Sequence, residues 1–181
     1  LAQAVAGRGA WIEPAAAADT PSTAAVAVSA RGEVGAIVFN TESPRGPIVE
    51  ILVVEPRTGA RRRLGADWPA PSGPSAHMSF THAELSDDGA LLLVDVDGAL
   101  GLWDVASGVR RALPLRAPQR AVRFVPGTHA LIADDGAVWV RIDGDTGVEV
   151  GRWRVPEGAE AGVANVLATG DVMVRVEADD G

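Results

Sequence analysis

The sequence predicts an all-β chain of four-stranded antiparallel meanders, repeated about three and a half times, and three observations predict it. One phrase recurs. Val28-Ser29-Ala30-Arg31-Gly32, Leu85-Ser86-Asp87-Asp88-Gly89 and Phe124-Val125-Pro126-Gly127-Thr128 each set an apolar residue before a four-residue turn, and Val166-Leu167-Ala168-Thr169-Gly170 starts a fourth copy. A second marker follows each of the first three: Glu55-Pro56-Arg57-Thr58-Gly59, Asp104-Val105-Ala106-Ser107-Gly108 and Asp143-Gly144-Asp145-Thr146-Gly147. Gly89 to Gly108 and Thr128 to Gly147 are both 19 residues, so the two markers hold register. The runs between them are short, rich in β-formers and bounded by Asp-Gly and Ser-Gly pairs, which is the hairpin signal.

The first marker recurs at Gly32, Gly89, Thr128 and Gly170, at separations of 57, 39 and 42 residues. The last two match a propeller blade of roughly 40 to 45 residues. Residues 1–25, with Ala15 to Ala18 between Pro14 and Pro21, lack a clear period and read as a tail or an edge strand around Trp11-Ile12. Blades are expected at 26–65, 80–115 and 120–155, with a partial one at 161–181. In the second, strand A runs near Phe80 to Leu85, B near Ala90 to Val96, C near Ala99 to Val105 and D near Val109 to Leu113, ended by Pro114. Asp97-Gly98 and Asp135-Gly136 fall at the B to C turn, where a type I′ turn needs positive φ. Strand C of the third blade alternates: Val138, Val140 and Ile142 face one way, Trp139 and Arg141 the other. The fourth unit stops after strand B near Val176, and since a propeller ring holds about 4 to 8 blades, the array reads as part of a larger propeller.

Composition narrows the function. At 181 residues the chain is long enough for one domain burying about 70% of its unfolded surface. A net charge of −8 argues against nucleic acid or an anionic membrane as the principal partner. No apolar run approaches the ~20 residues of a membrane span. All 16 basic residues are arginine, and lysine, cysteine and tyrosine are absent. That excludes disulfides, thiolate nucleophiles, cysteine-ligated zinc and a Schiff-base or P-loop lysine, and leaves the redox compartment open. Arg61-Arg62-Arg63 reads as a solvated outer strand offset by nearby carboxylates.

Tests for chemistry return little. No Gly-x-Ser-x-Gly elbow accompanies the Ser, His and Asp residues. His129, just after a turn, reads as a solvent-exposed turn residue. His82-Ala83-Glu84 imitates the His-x-Glu of zinc deaminases but lacks their cysteines. His77, His82 and Glu84 fall short of a converging ligand set and read as a polar strand edge. Asp143-Gly144-Asp145-Thr146-Gly147 has Gly147 and Arg154 where a calcium loop needs oxygen ligands, and reads as a C to D turn. No catalytic residue, cofactor or metal is expected.

The insertions are more informative. In a meander the B to C and D to A loops share one face. Gly32 to Gly59 is eight residues longer than Gly89 to Gly108, an excess that fits a B to C loop around Asn40 to Pro47. Gly59 to Gly89 is ten residues longer than Gly108 to Thr128, which fits a D to A loop from Ala66 to Ser79. Insertions in repeat arrays map to loops, often on the binding face. Asn40, Glu42, Arg45, Asp67 and Trp68 are therefore candidate partner-binding residues, anchored by Trp68 and Arg45, residue types enriched at hot spots.

Residues Asp97-Gly98-Ala99-Leu100-Gly101-Leu102-Trp103-Asp104-Val105-Ala106-Ser107-Gly108 resemble the WD-repeat family, whose blades carry a Trp-Asp pair ending strand C and an aspartate six residues before the tryptophan. The resemblance implies a structural role for Asp97, Trp103 and Asp104. His77 lies near the family's histidine, but strand B has no hydroxyl, and Val54-Glu55 and Arg141-Ile142 stand where Trp-Asp would fall. The run from Ile51 to Leu64 is similar to repeats of periplasmic Tol-type and prolyl oligopeptidase propellers. The likeness extends from about residue 24 onward as a propeller, and over 80–115 as a WD repeat. It implies a non-catalytic scaffold presenting loops to a protein or peptide partner, or else a lid or gate for a larger hydrolase or signalling enzyme. An open strand edge at the fourth unit further predicts self-association.

Overall fold

The structure, a computed structural model, describes residues 22–43, 46–65, 81–96, 99–115, 121–134, 138–154, 165–166 and 172–173. Those residues form three four-stranded antiparallel sheets and one two-stranded sheet, with no helix among them. Blade 1 holds β1 (Ser22–Val28), β2 (Gly35–Ser43), β3 (Gly46–Glu55) and β4 (Ala60–Leu64). Blade 2 holds β5 (Thr81–Leu85), β6 (Leu91–Val96), β7 (Ala99–Asp104) and β8 (Arg110–Arg111). Blade 3 holds β9 (Ala121–Phe124), β10 (Ala130–Asp134), β11 (Val138–Asp143) and β12 (Val148–Arg154). A fourth pair, β13 (Asn165–Val166) and β14 (Val172–Met173), begins the next unit. Every blade is a sequential meander, as expected of propeller blades.

Registers align the blades. Val28 pairs with Gly35, Leu85 with Leu92 and Phe124 with Leu131; the next strands continue with Gly35 to Val54, Leu92 to Trp103 and Leu131 to Ile142. Corresponding residues of blades 2 and 3 are thus 39 apart.

The blades stack face to face through two cores. Ala36, Val38, Ile51, Val53 and Leu64 of blade 1 meet Leu92, Val94, Val96 and Trp103 of blade 2. Leu91, Leu93 and Leu102 from the opposite face of blade 2 meet Phe124, Leu131, Val140 and Ile142 of blade 3. This explains why β6 is apolar on both faces apart from Asp95, with all six of its residues buried. A central strand covered on both faces loses the polar half of its alternation. Outer strand β4 keeps it exposed, apart from Leu64.

Arginine ties the outer strand of blade 1 to the next blade and that of blade 2 to its own strand C. Arg62 donates from both terminal nitrogens to the Val105 and Ala106 carbonyls of blade 2. Its register equivalent Arg111 donates to Asp104 Oδ2 at 2.9 Å. The arginine run is therefore an exposed outer strand, with Arg63 3.7 Å from Glu50 and Arg62 turned to an inter-blade task.

Several expectations are corrected. The eight extra residues of the first unit form no loop: β2 and β3 pair without interruption from Gly35↔Val54 to Ser43↔Gly46, so the excess lengthens a hairpin. Strand D of blade 2 shrinks to Arg110–Arg111, ahead of Pro114, which has no N–H for a ladder. β1 begins at Ser22, ahead of the blade boundary expected at 26. In blade 3 the glycine at positive φ is Gly127 (74°), one residue before Thr128. Trp11, Ile12, the B to C turns at Asp97-Gly98 and Asp135-Gly136, and the stretch from Ala66 to Phe80 lie outside the described residues.

Candidate functional site

The A to B and C to D turns gather the polar chemistry of the described residues at the seams between blades. Each C to D turn closes by the same device. The glycine at positive φ donates its N–H back to the last residue of strand C: Gly59 to Glu55 O and Gly108 to Asp104 O at 2.8 Å, Gly147 to Asp143 O at 2.7 Å. The acid then accepts from the hydroxyl residue three positions on. Asp104 Oδ1 takes Ser107 N and Oγ, both at 2.8 Å, and Asp143 Oδ1 takes Thr146 N at 2.9 Å and Oγ1 at 3.1 Å. Backbone N–H bonds from Ser107 and Thr146 are the main reason both carboxyls titrate below their ordinary value. The Asp143 to Gly147 segment is thus a C to D turn, as its sequence predicts.

The A to B turn of blade 2 bonds to both neighbouring blades. The Asp87 carbonyl accepts Ala30 N of blade 1 at 3.1 Å, and its carboxylate accepts Gly127 N of blade 3. Asp88 Oδ2 lies 3.0 Å from His129 Nε2, and His129 Nδ1 lies 2.7 Å from Asp145 Oδ1. His129 is therefore no free turn residue: both ring nitrogens are held by carboxylates from two blades, an arrangement that suits the doubly protonated imidazolium. Partial burial pushes its pKa down, but the bonds to Asp145 and Asp88 and their charges prevail and raise it. Asp88 is lowered to about 2, first by the Ala90 N–H, with Ser86 and His129 adding to it against a burial penalty. The sequence held one clue, because A to B and C to D turns share a face of the meander.

The sign of the pH response follows. His129, raised in the fold, contributes stability present in full below its ordinary 6.5 and lost as pH rises through the raised value. Asp88, lowered in the fold, contributes stability present above its ordinary 3.8 and lost as pH falls toward about 2. The seam is best supported between those ordinary values. Urea unfolding is expected to show lower stability at pH 8 than at pH 6, by under about 1 kcal/mol because the acids are exposed. His129→Gln should remove that difference, and an equal pH response in the variant would refute the assignment.

A second polar group lies between blades 2 and 3. Glu84 Oε1 accepts Phe124 N at 3.4 Å, Glu84 Oε2 is 3.6 Å from His82 Nε2, and His82 pairs across the ladder with buried Asp95. Among the described residues no three His, Asp or Glu side chains could hold a metal ion. The two acids on His129 sit at opposite ring nitrogens and cannot converge on one ion.

Of the candidate partner-binding residues, Asn40 and Glu42 belong to β2, where they pair with Val49 and Pro47. Arg45, Asp67 and Trp68 lie outside the described residues, as do Asp97 and His77. Trp103 is fully buried between blades 1 and 2, and Asp104 caps its C to D turn. Structural roles therefore fall to both members of the Trp-Asp pair.

No family model and no curated protein matches the chain. Solved structures do. The β-propeller domain of the Trilobed protease from Pyrococcus furiosus superimposes with a TM-score of 0.55 at 11% identity, covering 77% of this chain and 45% of that one. An acylaminoacyl peptidase from Pyrococcus horikoshii gives 0.54 at 11% identity, covering 78% and 26%. The Cps50 (Swd1) β-propeller domain of Myceliophteria thermophila gives 0.49 at 21% identity, covering 78% and 41%. The chain spans less than half the length of each. The first two likenesses and the three four-stranded meanders show a fold of consecutive β-propeller blades.

Proposed function

We propose that these blades act as a non-catalytic scaffold that binds a protein or peptide partner. One observation carries the reading: the polar side chains best suited to chemistry are already spent, on holding blades together or on closing a turn within a blade. Both nitrogens of His129 are engaged by acids, Glu84 takes a backbone N–H of the next blade, and Asp104 is occupied by Ser107 and Arg111. Asn40, Glu42, Arg45, Asp67 and Trp68 remain the candidate contacts, reached by the long β2–β3 hairpin and the connection from blade 1 to blade 2. The test is binding of the purified chain to an array of nine-residue synthetic peptides. Arg45→Ala and Trp68→Ala are expected to weaken capture about tenfold, the size of a hot-spot truncation, with the thermal transition unchanged. Failure to bind any peptide would overturn the reading.

A second reading is favoured by the two peptidase chains whose propellers superimpose above a TM-score of 0.5. In it the blades gate an active site carried elsewhere in a longer polypeptide. The gene sequence on either side of this segment decides the matter: a hydrolase domain adjoining either terminus favours the gate.

A further inference from the structure

The two seams of the array are joined by different chemistry. Across the seam of blades 1 and 2 the described hydrogen bonds end on backbone carbonyls: Ala30 N on Asp87 O at 3.1 Å, and the Arg62 guanidinium on Val105 O and Ala106 O. Neither a peptide carbonyl nor an arginine titrates in the working range of a protein. Across the seam of blades 2 and 3 the bonds end on carboxylates. Glu84 accepts Phe124 N at 3.4 Å, Asp87 accepts Gly127 N, and Asp88 Oδ2 lies 3.0 Å from His129 Nε2. Blade 2 thus offers neutral acceptors to the blade before it and ionisable ones to the blade after it. Asp87 serves both sides: its peptide oxygen holds blade 1 and its side chain holds blade 3.

The groups held by those carboxylates fall within residues 124–129, the end of β9 and the A to B turn of blade 3. Beneath them Leu91, Leu93 and Leu102 pack on Phe124, Leu131, Val140 and Ile142, a core with no titratable member. Its hold on blade 3 is therefore indifferent to protonation. Around Glu84 stand His82 at 3.6 Å, Asp95 across the ladder from His82, and Arg123, whose guanidinium donates to the Val122 carbonyl. Around Asp88 and His129 stand Asp145, on the other ring nitrogen, and Asp143 at the head of the same C to D turn, within the field of Arg111 of β8.

We propose that the seam between blades 2 and 3 is an acid-released latch: protonation of Glu84, Asp87 and Asp88 frees residues 124–129 from blade 2 while the seam between blades 1 and 2 stays closed. A charge-assisted hydrogen bond is roughly twice as strong as a neutral one, so each acceptor keeps its place on gaining a proton but loses much of its hold. Release is graded. Asp88 stays ionised down to about 2, first because of the Ala90 N–H, so its bond to His129 outlasts the titration of ordinary carboxyls. The apolar core keeps the two sheets stacked, and the turn lifts without the blade leaving. The response belongs to one seam and one edge of it, whichever partner the array binds.

Amide hydrogen exchange of the purified chain, followed by NMR at pH 6 and pH 3 and corrected for intrinsic exchange, tests the latch. Protection at Phe124 and Gly127 is expected to fall about tenfold, the difference between a charge-assisted and a neutral bond, with Ala30 unchanged. Ala30 is the internal control, since it bonds to the same Asp87 through the peptide oxygen. Glu84→Gln with Asp87→Asn keeps an oxygen acceptor at both places and removes the titration, so protection at Phe124 and Gly127 should then be equal at the two pH values. Equal loss at Ala30, Phe124 and Gly127 in the parent chain would mean that acid unfolds the array as a whole, and unchanged protection would mean that the carboxylates do not hold blade 3. Either result overturns the proposal. A loss of protection that persists in the double variant places the trigger elsewhere and overturns it as well.

Discussion

Replacing Trp103 by alanine is expected to cost about 3–5 kcal/mol in urea unfolding, the largest effect of any single truncation here. The indole is 1% exposed and sits in the core shared by blades 1 and 2, so its removal opens a cavity between two sheets instead of within one. The Gly65 backbone lies near its edge, and Arg110 covers the ring 5.6 Å from its centroid. Within its own strand the ring lies across Gly101, two residues earlier on the same face. A methyl at Gly101 would overlap Cη2 and Cζ3 of the ring. Gly101→Ala should therefore cost about 1–3 kcal/mol by overpacking in the parent chain and much less once Trp103 is alanine. A double-mutant cycle checks this. Additive costs would show that the glycine serves some purpose other than housing the indole.

Gly89→Ala is the second large effect, expected at about 2–4 kcal/mol from two sources that can be separated. Gly89 has φ of +75°, where an L side chain costs about 1–2 kcal/mol. An added Cβ would also lie 2.7 Å from Val34 Cγ2, 2.9 Å from Val34 Cβ and 3.3 Å from Ser29 Cβ, all in the neighbouring blade. Gly32 occupies the same place in the turn of blade 1, with φ of +67°, and an added Cβ there meets nothing within 4 Å. Gly32→Ala thus measures the backbone cost alone, and the difference between the two variants measures the inter-blade clash. Val34→Ala in the Gly89→Ala background should recover part of that difference. Equal costs at Gly32 and Gly89 would mean that the two turns do not press together.

Local order was legible in the chain, and contact between blades was not. Hairpin strands and both turn markers show in the sequence because each needs only neighbours within about ten residues: a glycine where φ is positive, an acid and a hydroxyl three apart, alternation on β11. The extension of β2 and β3 was hidden by Pro44 and Pro47, which read as loop residues. An antiparallel edge needs an N–H only at every second pair, so Pro47 opposite Glu42 does not end the ladder. His129 was misread for a different reason. Its partner Asp88 is 41 residues away, and the Asp87 bond to Gly127 spans 40, so only the stacking of whole blades brings them together. The expected contact residues Arg45, Asp67 and Trp68 fall outside the described residues.

The double coverage of β6 has an evolutionary consequence. Its odd-numbered leucines, Leu91 and Leu93, are fitted to the blade that follows, while Leu92, Val94 and Val96 are fitted to the blade that precedes. Five of its six positions, all but Asp95, therefore answer to two different neighbours in alternation. A blade with such a strand is not a transplantable cassette. Duplicating or exchanging it would satisfy one set of contacts and spoil the other.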